Sequence, residues 1–293
     1  MSDQNEIAVG RVEILRRFPV KSMLGEAHET LAVSTRGVAG DRAWAILDEA
    51  TGKVASAKRA KLWRGLLTCT ARTLPGEDGA AAIEVAMPDG TRHHAGDPAL
   101  DGLMSALTGR TVRLISVPPH DAELDRAHPE AQLAEGLDAD VASDILKLGA
   151  AAPPGTFFDY APLHLLTTAT LDGLAAGQDD GPTSELEDVR YRANVVIRSP
   201  PGIAGFVEND WVDGTVRIGA SVALRIVLQT PRCAIPTLTH GALPPRPGAL
   251  RAAADRNRVE IPGFGNQPCA GVYAQVLQGG SIRQGDAVTF TPA

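Results

Sequence analysis

The first residues here that could do chemistry are Thr230-Pro231-Arg232-Cys233, which set a thiol beside a guanidinium after an alternating apolar run of Val222, Leu224, Ile226 and Leu228. The alternation reads as a half-buried strand, and Pro231, which has no N–H to give a sheet ladder, should end it. Cys233 then stands at a strand end next to a fixed positive charge. Such a setting favours the thiolate and suits it to be a nucleophile or a soft-metal ligand. On local sequence alone the plainer reading is a small buried cysteine, since free cysteine is among the most buried residue types.

Other groups suited to chemistry lie far away in the chain. Pro19-Val20-Lys21-Ser22 gathers an ammonium, a hydroxyl and backbone amides in one turn, which can hold an anion by charge and hydrogen bonds. In Gly40-Asp41-Arg42 a glycine permits close backbone approach and Asp41 can orient the arginine. Ser56-Ala57-Lys58-Arg59 adds two cations, and Arg190-Tyr191-Arg192-Ala193-Asn194 offers a guanidinium and a carboxamide, a pair suited to a phosphate and a heterocycle edge. Asp159 is a candidate acceptor for an amino-substituted ring. Each also has a plain alternative: a solvated lysine, a structural ion pair, a turn-capping aspartate. His93-His94 has no carboxylate or cysteine company at metal spacing and reads as a loop. There is no GxGxxG, P-loop or G-x-S-x-G pattern, which leaves ordinary nucleotide enzymes and α/β-hydrolases poorly supported.

The elements that must position these groups are mainly strands. Val9–Arg17, Thr30–Val33, a hairpin of Ala43–Leu47 with Lys53–Ala57, Leu66–Arg72, Ala82–Ala86 and Thr111–Val117 fill the first part of the chain. One helix interrupts them, with Asp97 as N-cap, Pro98 in its first turn and Gly109 past its end. From His120 to Gly155 the sequence turns charged and Ala-rich, as in an insertion or connecting segment, and predicts a short helix at Asp138–Leu148. Beyond it, Thr168 or Thr170 can cap a helix that runs to Gly177. Strands follow at Asn194–Arg198, Thr215–Ile218, Ser221–Gln229, Gly271–Val276 and Asp286–Thr289, so the fold expected is a β-barrel or sandwich with few helices. The division expected is an N-terminal β domain over 1–120, a connector over 121–155 and a second domain over 156–293.

Composition narrows the function classes. A chain of 293 residues with 44% hydrophobic content can bury a substantial core. A net charge of −7 spread over a mixed-sign sequence does not provide the clustered basic face of a nucleic-acid binder. Three widely spaced cysteines make neither a disulfide framework nor a C-x-x-C knuckle. The polar, acidic start and the lack of an 18-residue apolar run give no sign of a targeting or membrane segment, and a cytoplasmic protein is expected.

Taken together these residues resemble a known family. The run RFPVKSMLGEAHETLAVSTRGVAGDRAWAILDEATGKVASAKR is similar to the N-terminal β-barrel domain that precedes MOSC domains. Asp159 to Phe290 resembles the MOSC domain itself, through YAPLHLLTTATLDGL, RYRANVVI, WVDGTVRIG, TPRC and the closing GGSIRQGDAV. The family includes the mitochondrial amidoxime-reducing component and its bacterial relatives. The resemblance implies a mainly β fold, a MOSC-type barrel beside an N-terminal β-barrel-like domain, and a molybdenum cofactor, in which a pyranopterin dithiolene with a terminal phosphate holds the metal. It further implies that Cys233 is the protein's ligand to molybdenum. Lys21, Ser22, Arg42 and Lys58 would hold the pterin and phosphate from the N-terminal side, and Asp159, Arg192, Asn194 and Thr230 from the MOSC side. The expected activity is reduction of small N-hydroxylated compounds such as amidoximes, hydroxylamines and N-hydroxylated bases. A Cys-rich ferredoxin segment, present in some bacterial relatives, is lacking here, so electrons are expected from a separate flavoprotein, ferredoxin or similar protein. The alternative is a cofactor carrier or a sulfur carrier working through a persulfide on Cys233. Two departures stand out: Ala193 replaces a common proline, and Gln267-Pro268-Cys269-Ala270 replaces a stretch that is often Phe-Gly, where Cys269 is expected to pack in the barrel, with a place near the metal as the alternative.

Overall fold

The computed structural model describes residues 6–75, 81–176 and 187–293. In chain order the first half contributes β1 (Ile7–Arg17), β2 (Glu26–His28), β3 (Thr30–Ser34), β4 (Gly37–Val38), β5 (Ala45–Asp48), α1 (Ala60–Trp63), β6 (Thr70–Pro75), β7 (Ala81–Ala86), β8 (Arg92–His94), α2 (Pro98–Thr108) and β9 (Val112–Ile115). A connector carries β10 (Glu123–Ala127), α3 (Pro129–Glu135) and β11 (Ser143–Lys147). The second half adds β12 (Leu163–Thr167), α4 (Thr168–Ala175), β13 (Val195–Arg198), β14 (Thr215–Ile218), β15 (Val222–Pro231), α5 (Gly248–Arg256), β16 (Arg258–Ile261), β17 (Gly265–Gln278), β18 (Gly280–Arg283) and β19 (Ala287–Thr291). The described residues are mostly strands with five α-helices, as the alternating patterns imply.

Seven strands close a barrel in the order β12-β13-β1-β19-β14-β15-β17, with β17 returning to β12. Closure satisfies both edges of the sheet, which an open array would leave unpaired. Within the barrel β12 and β13 run parallel while the other neighbours are antiparallel, and α4 lies between the two in the chain. β1 comes from the start of the chain yet lies between β13 and β19, with Arg11 opposite Arg198 and Ile7 opposite Phe290. Inward positions of these strands form one core that includes Leu15, Leu165, Ile197, Val216, Leu224 and Val272. A second core, under the three-stranded sheet of β6, β7 and β8, packs Val20, Ile46, Trp63, Leu66 and Met104. Among the described residues no helix is long and apolar enough to cross a membrane.

The capped helix expected after Asp97 is present: Asp97 Oδ1 accepts the Ala99 N–H at 2.9 Å, and Gly109 takes the left-handed conformation. β15 alternates as read and extends to Pro231. Other local readings are corrected. Asp138–Leu148 is not a helix. Its Ser143–Lys147 part is β11, paired with β10 so that Leu146 lies opposite the buried Leu124, and pairing overrides a weak helix propensity. The connector's helix is α3 instead, with Pro129 in its first turn.

Leu66–Arg72 begins as a 3-10 turn, because Thr68 Oγ1 donates back to the Gly65 carbonyl at 2.7 Å; the strand starts at Thr70. The Lys53–Ala57 arm of the expected hairpin shrinks to a single bridge from Val54 to Leu47. Asp48 N–H still donates to the Lys53 carbonyl at 2.9 Å and Ala55 N–H to the Ile46 carbonyl at 2.8 Å, while Val54 N–H turns to the Glu123 carbonyl and Ala57 N–H to Ser22 Oγ. β5 pairs with β9. His93-His94 lies in β8, not in a loop, and His93 Nδ1 meets Asp97 Oδ2 at 2.7 Å. The cap of α4 is Thr167, whose side chain accepts the Thr170 N–H at 3.1 Å, not Thr168 or Thr170; the expected end at Gly177 lies outside the described residues. Cys269 packs with Leu228 and Ile261, and burial pushes its thiol up to about 12.

Candidate functional site

Eight of the nine residues singled out from sequence line one cavity between the barrel and the N-terminal half. They arrive on loops from distant parts of the chain. Lys21 and Ser22 follow β1, Arg42 precedes β5, Lys58 precedes α1, Asp159 precedes β12, Arg192 and Asn194 precede β13, and Cys233 follows β15. Three of them, Ser22, Arg42 and Arg192, hold a positive φ (64°, 44° and 58°) without being glycine. That conformation costs a side-chain-bearing residue free energy, and such positions cluster where a site fixes the direction of a group.

The supports are specific. Phe18 N–H donates to Asp41 Oδ1 at 2.7 Å, and Asp41 also pairs with Arg42. Arg42 then donates to Asn194 Oδ1 at 3.2 Å and to the Arg192 carbonyl at 3.0 Å, tying the two halves of the cavity together. The buried Phe18 ring takes the Arg42 and Arg192 guanidiniums at 4.7 and 4.4 Å from its centroid, which offsets part of the cost of holding two cations close. Asn194 Nδ2 donates to the Arg16 carbonyl at 3.2 Å, and Arg192 Nη1 donates to the Met23 carbonyl at 2.6 Å. Ser22 Oγ accepts the Ala57 N–H at 3.0 Å, and Cys233 carries a free thiol at 5% exposure.

Charge is out of balance here. Among the described residues five cations, Lys21, Arg42, Lys58, Arg192 and Arg232, line the cavity with one acid, Asp159. Lys21 is 4% exposed; it donates to the Phe157 carbonyl at 2.9 Å and pairs with Asp159, which also takes Lys58 at 3.1 Å. Burial lowers the Lys21 ammonium from 10.5 to about 8, against the attraction of Asp159 and with the repulsion of Lys58. Burial alone would raise Asp159, but Lys21 and Lys58 outweigh it and hold the carboxyl well below the usual range. Burial, followed by the repulsion of Arg42, depresses Arg192.

Thr230 is not on the cavity wall. It is 1% exposed, one residue before the lining Pro231, and its Oγ1 has no hydrogen-bond partner among the described residues. Arg232, whose role the sequence left open, faces the cavity. Its Nη2 donates to the Tyr191 carbonyl at 3.1 Å, and its Nε is buried and unpartnered among the described residues. His164 and Tyr273 also line the cavity and were missed, because each sits inside an apolar strand run, LHLLT and GVYAQV. The signal available was a titratable group within a buried strand. Burial and the nearby Arg232 push His164 down to about 3, so its imidazole is neutral, and Nε2 lies 3.2 Å from the Ala270 carbonyl.

A cationic cavity with one thiol, a buried unpartnered donor on Arg232 and a neutral imidazole fits an anionic ligand that also offers a metal. Among the described residues no group of three or more His, Cys, Asp or Glu could hold a metal ion unaided, so a metal at Cys233 needs further ligands from the group that brings it.

Residues 152–289 match the MOSC domain, and residues 9–84 match the MOSC N-terminal beta barrel domain. MOSC domains are associated with molybdenum-cofactor binding. Among solved structures, the YuaD protein from Bacillus subtilis is 9% identical, covers 99% of this chain over 98% of its own, and has a TM-score of 0.44. YiiM from Geobacillus stearothermophilus is 14% identical over 45% of this chain and 54% of its own, with a TM-score of 0.29. No curated protein is significantly similar in sequence. With both domain matches in this order and together spanning more than half of its length, the chain belongs to the MOSC domain family.

Proposed function

We propose that the protein is a molybdenum-cofactor-dependent oxidoreductase that reduces N-hydroxylated compounds to the N–H form and water, taking two electrons from a separate redox protein and two protons from solvent. The observation that carries this reading is the meeting of the single cavity thiol, Cys233, with five cations and one acid. Cys233 would provide the protein's thiolate to the metal. Lys21, Lys58, Arg42 and Arg192 would neutralise the phosphate and dithiolene, while Asp159 and the Asn194 carboxamide accept from or orient the pterin edge. The bound cofactor supplies two-electron oxygen-atom transfer; the residues around it exclude bulk water, fix orientation and keep His164 uncharged.

Protein made in a cofactor-competent host should contain molybdenum and pterin near one to one, and Cys233→Ala should lose the metal and the reduction of amidoximes. Metal-free protein, or full activity in Cys233→Ala, overturns the reading. A persulfide on Cys233 without N-reduction by any electron donor would instead make the protein a sulfur carrier.

A further inference from the structure

We infer that a second cavity beside the first is the substrate chamber, and that it selects a flat aromatic body carrying a carboxylate or similar anion. This rests on the reading of the first cavity as the cofactor site. The second cavity shares Lys58, Asp159, Pro231 and Tyr273 with the first, so whatever fills it abuts the group held near Cys233. One wall is aromatic. The Tyr160 ring lies 6.3 Å from Phe264, edge to face, and 5.6 Å from Tyr273. Leu228 extends that apolar surface, and the connector closes the other side with Leu146 and Ala150. A ring lying on this wall would exchange water for stacking and apolar contact.

The polar element is Arg126, on β10. It is 8% exposed, and its hydrogen bond goes to a neutral amide, Nη2 to Gln267 Oε1 at 3.2 Å. No carboxylate pairs with it among the described residues. Neighbouring acids are engaged: Asp125 with Lys53 and Arg59 at 2.7 and 2.9 Å, Asp144 with His128 at 3.0 Å and Glu130 with Arg258 at 2.6 Å. A nearly buried guanidinium without an anion is costly, and a ligand that brings one recovers the cost. Lys147, which also lines the chamber, is exposed and sits 3.3 Å from Asp121, so it adds attraction without fixing geometry.

The test is calorimetric titration of cofactor-loaded protein with benzamidoxime and with 4-carboxybenzamidoxime. The acid should bind roughly tenfold more tightly, which is about 1.4 kcal/mol. Arg126→Gln should bring that ratio near one with the neutral compound's Kd little changed, and Arg126→Lys should keep part of the preference. Equal affinity of the wild-type protein for both compounds overturns the inference without any variant, and so does a preference that survives Arg126→Gln. Reduction is followed in parallel. A preference for the acid with no turnover of either compound supports the chamber and removes the reductase reading; turnover of both with a ratio of one does the reverse.

Discussion

Lys21→Met should change how the cofactor-free protein responds to alkali. The folded protein holds Lys21 near 8, while the unfolded chain holds it at its ordinary 10.5, because burial beside Lys58 and Arg42 is only partly offset by Asp159. The gap of about 2.5 units corresponds to roughly 3 kcal/mol. The sign follows from proton counting. Between pH 8 and 10.5 the unfolded chain binds a proton that the folded protein has released, so stability rises with pH across that window. Below pH 8 both states are protonated and the full cost is present. Urea midpoints at pH 7.5, 9 and 10.5, taken for wild-type and Lys21→Met, should therefore converge or cross as pH rises, the difference between the two changing by about 3 kcal/mol. Titrations of lysines and tyrosines remote from Lys21 cancel in that difference. Inorganic pyrophosphate bound in the cavity should shrink the effect, since an anion stabilises the charged ammonium. Parallel pH profiles for the two proteins would show that Lys21 is no worse off in the cavity than in water, and the argument for an anion-seeking cavity would fail with it.

Acid should destabilise the fold from about pH 6.5 downward. Buried His164 and His240 are held near 3 and 4, chiefly by burial, so the unfolded chain takes up protons below its ordinary 6.5 that the folded protein refuses. Two such groups give a slope of up to about 2.7 kcal/mol per pH unit between pH 6 and 4, and His240→Asn should roughly halve it in chemical denaturation; an unchanged slope would exclude these histidines as the cause. At the barrel's seam, Gly271 has φ +78° where β17 meets β12, and an added Cβ would overlap His164 Nε2 and the Leu165 carbonyl oxygen. Gly271→Ala should cost about 3 kcal/mol or more from strain and overlap together, against roughly 1 kcal/mol for Gly52→Ala, whose φ is +69° and whose Cβ position meets nothing within 4 Å among the described residues. Equal urea midpoints for the two variants would refute this.

What was legible in the sequence follows from the range over which each signal acts. The alternation of Val222 to Leu228 and the caps around α2 are written in adjacent residues, and both are present. Motif-scale groups such as Gly40-Asp41-Arg42 carried the site, although nothing local says that Arg42 reaches Asn194, 152 positions away. His164 and Tyr273 were hidden because a polar group in an apolar strand looks like a packing exception until the opposite wall is known. The connector was misread for a related reason: Ser143–Lys147 has little apolar pattern of its own, and its pairing with β10 makes it a strand. Arg126, in that same hairpin, gives no sequence sign of lacking an acid, since Asp125 beside it is drawn to Lys53 and Arg59.

The position of β1 between β13 and β19 bears on how the protein is made. A ribosome adds about 5–20 residues per second, so roughly 15 to 55 s separate the emergence of Arg17 from that of β19, some 270 residues later. Throughout that interval β1 lacks one of its barrel neighbours. It is an open sheet edge on a nascent chain, a natural target for a holding chaperone and a weak point under heat or overexpression. The barrel cannot close, nor can the wall behind Cys233 settle, until β19 has emerged, which sets loading of the cavity as a step that follows the making of that strand.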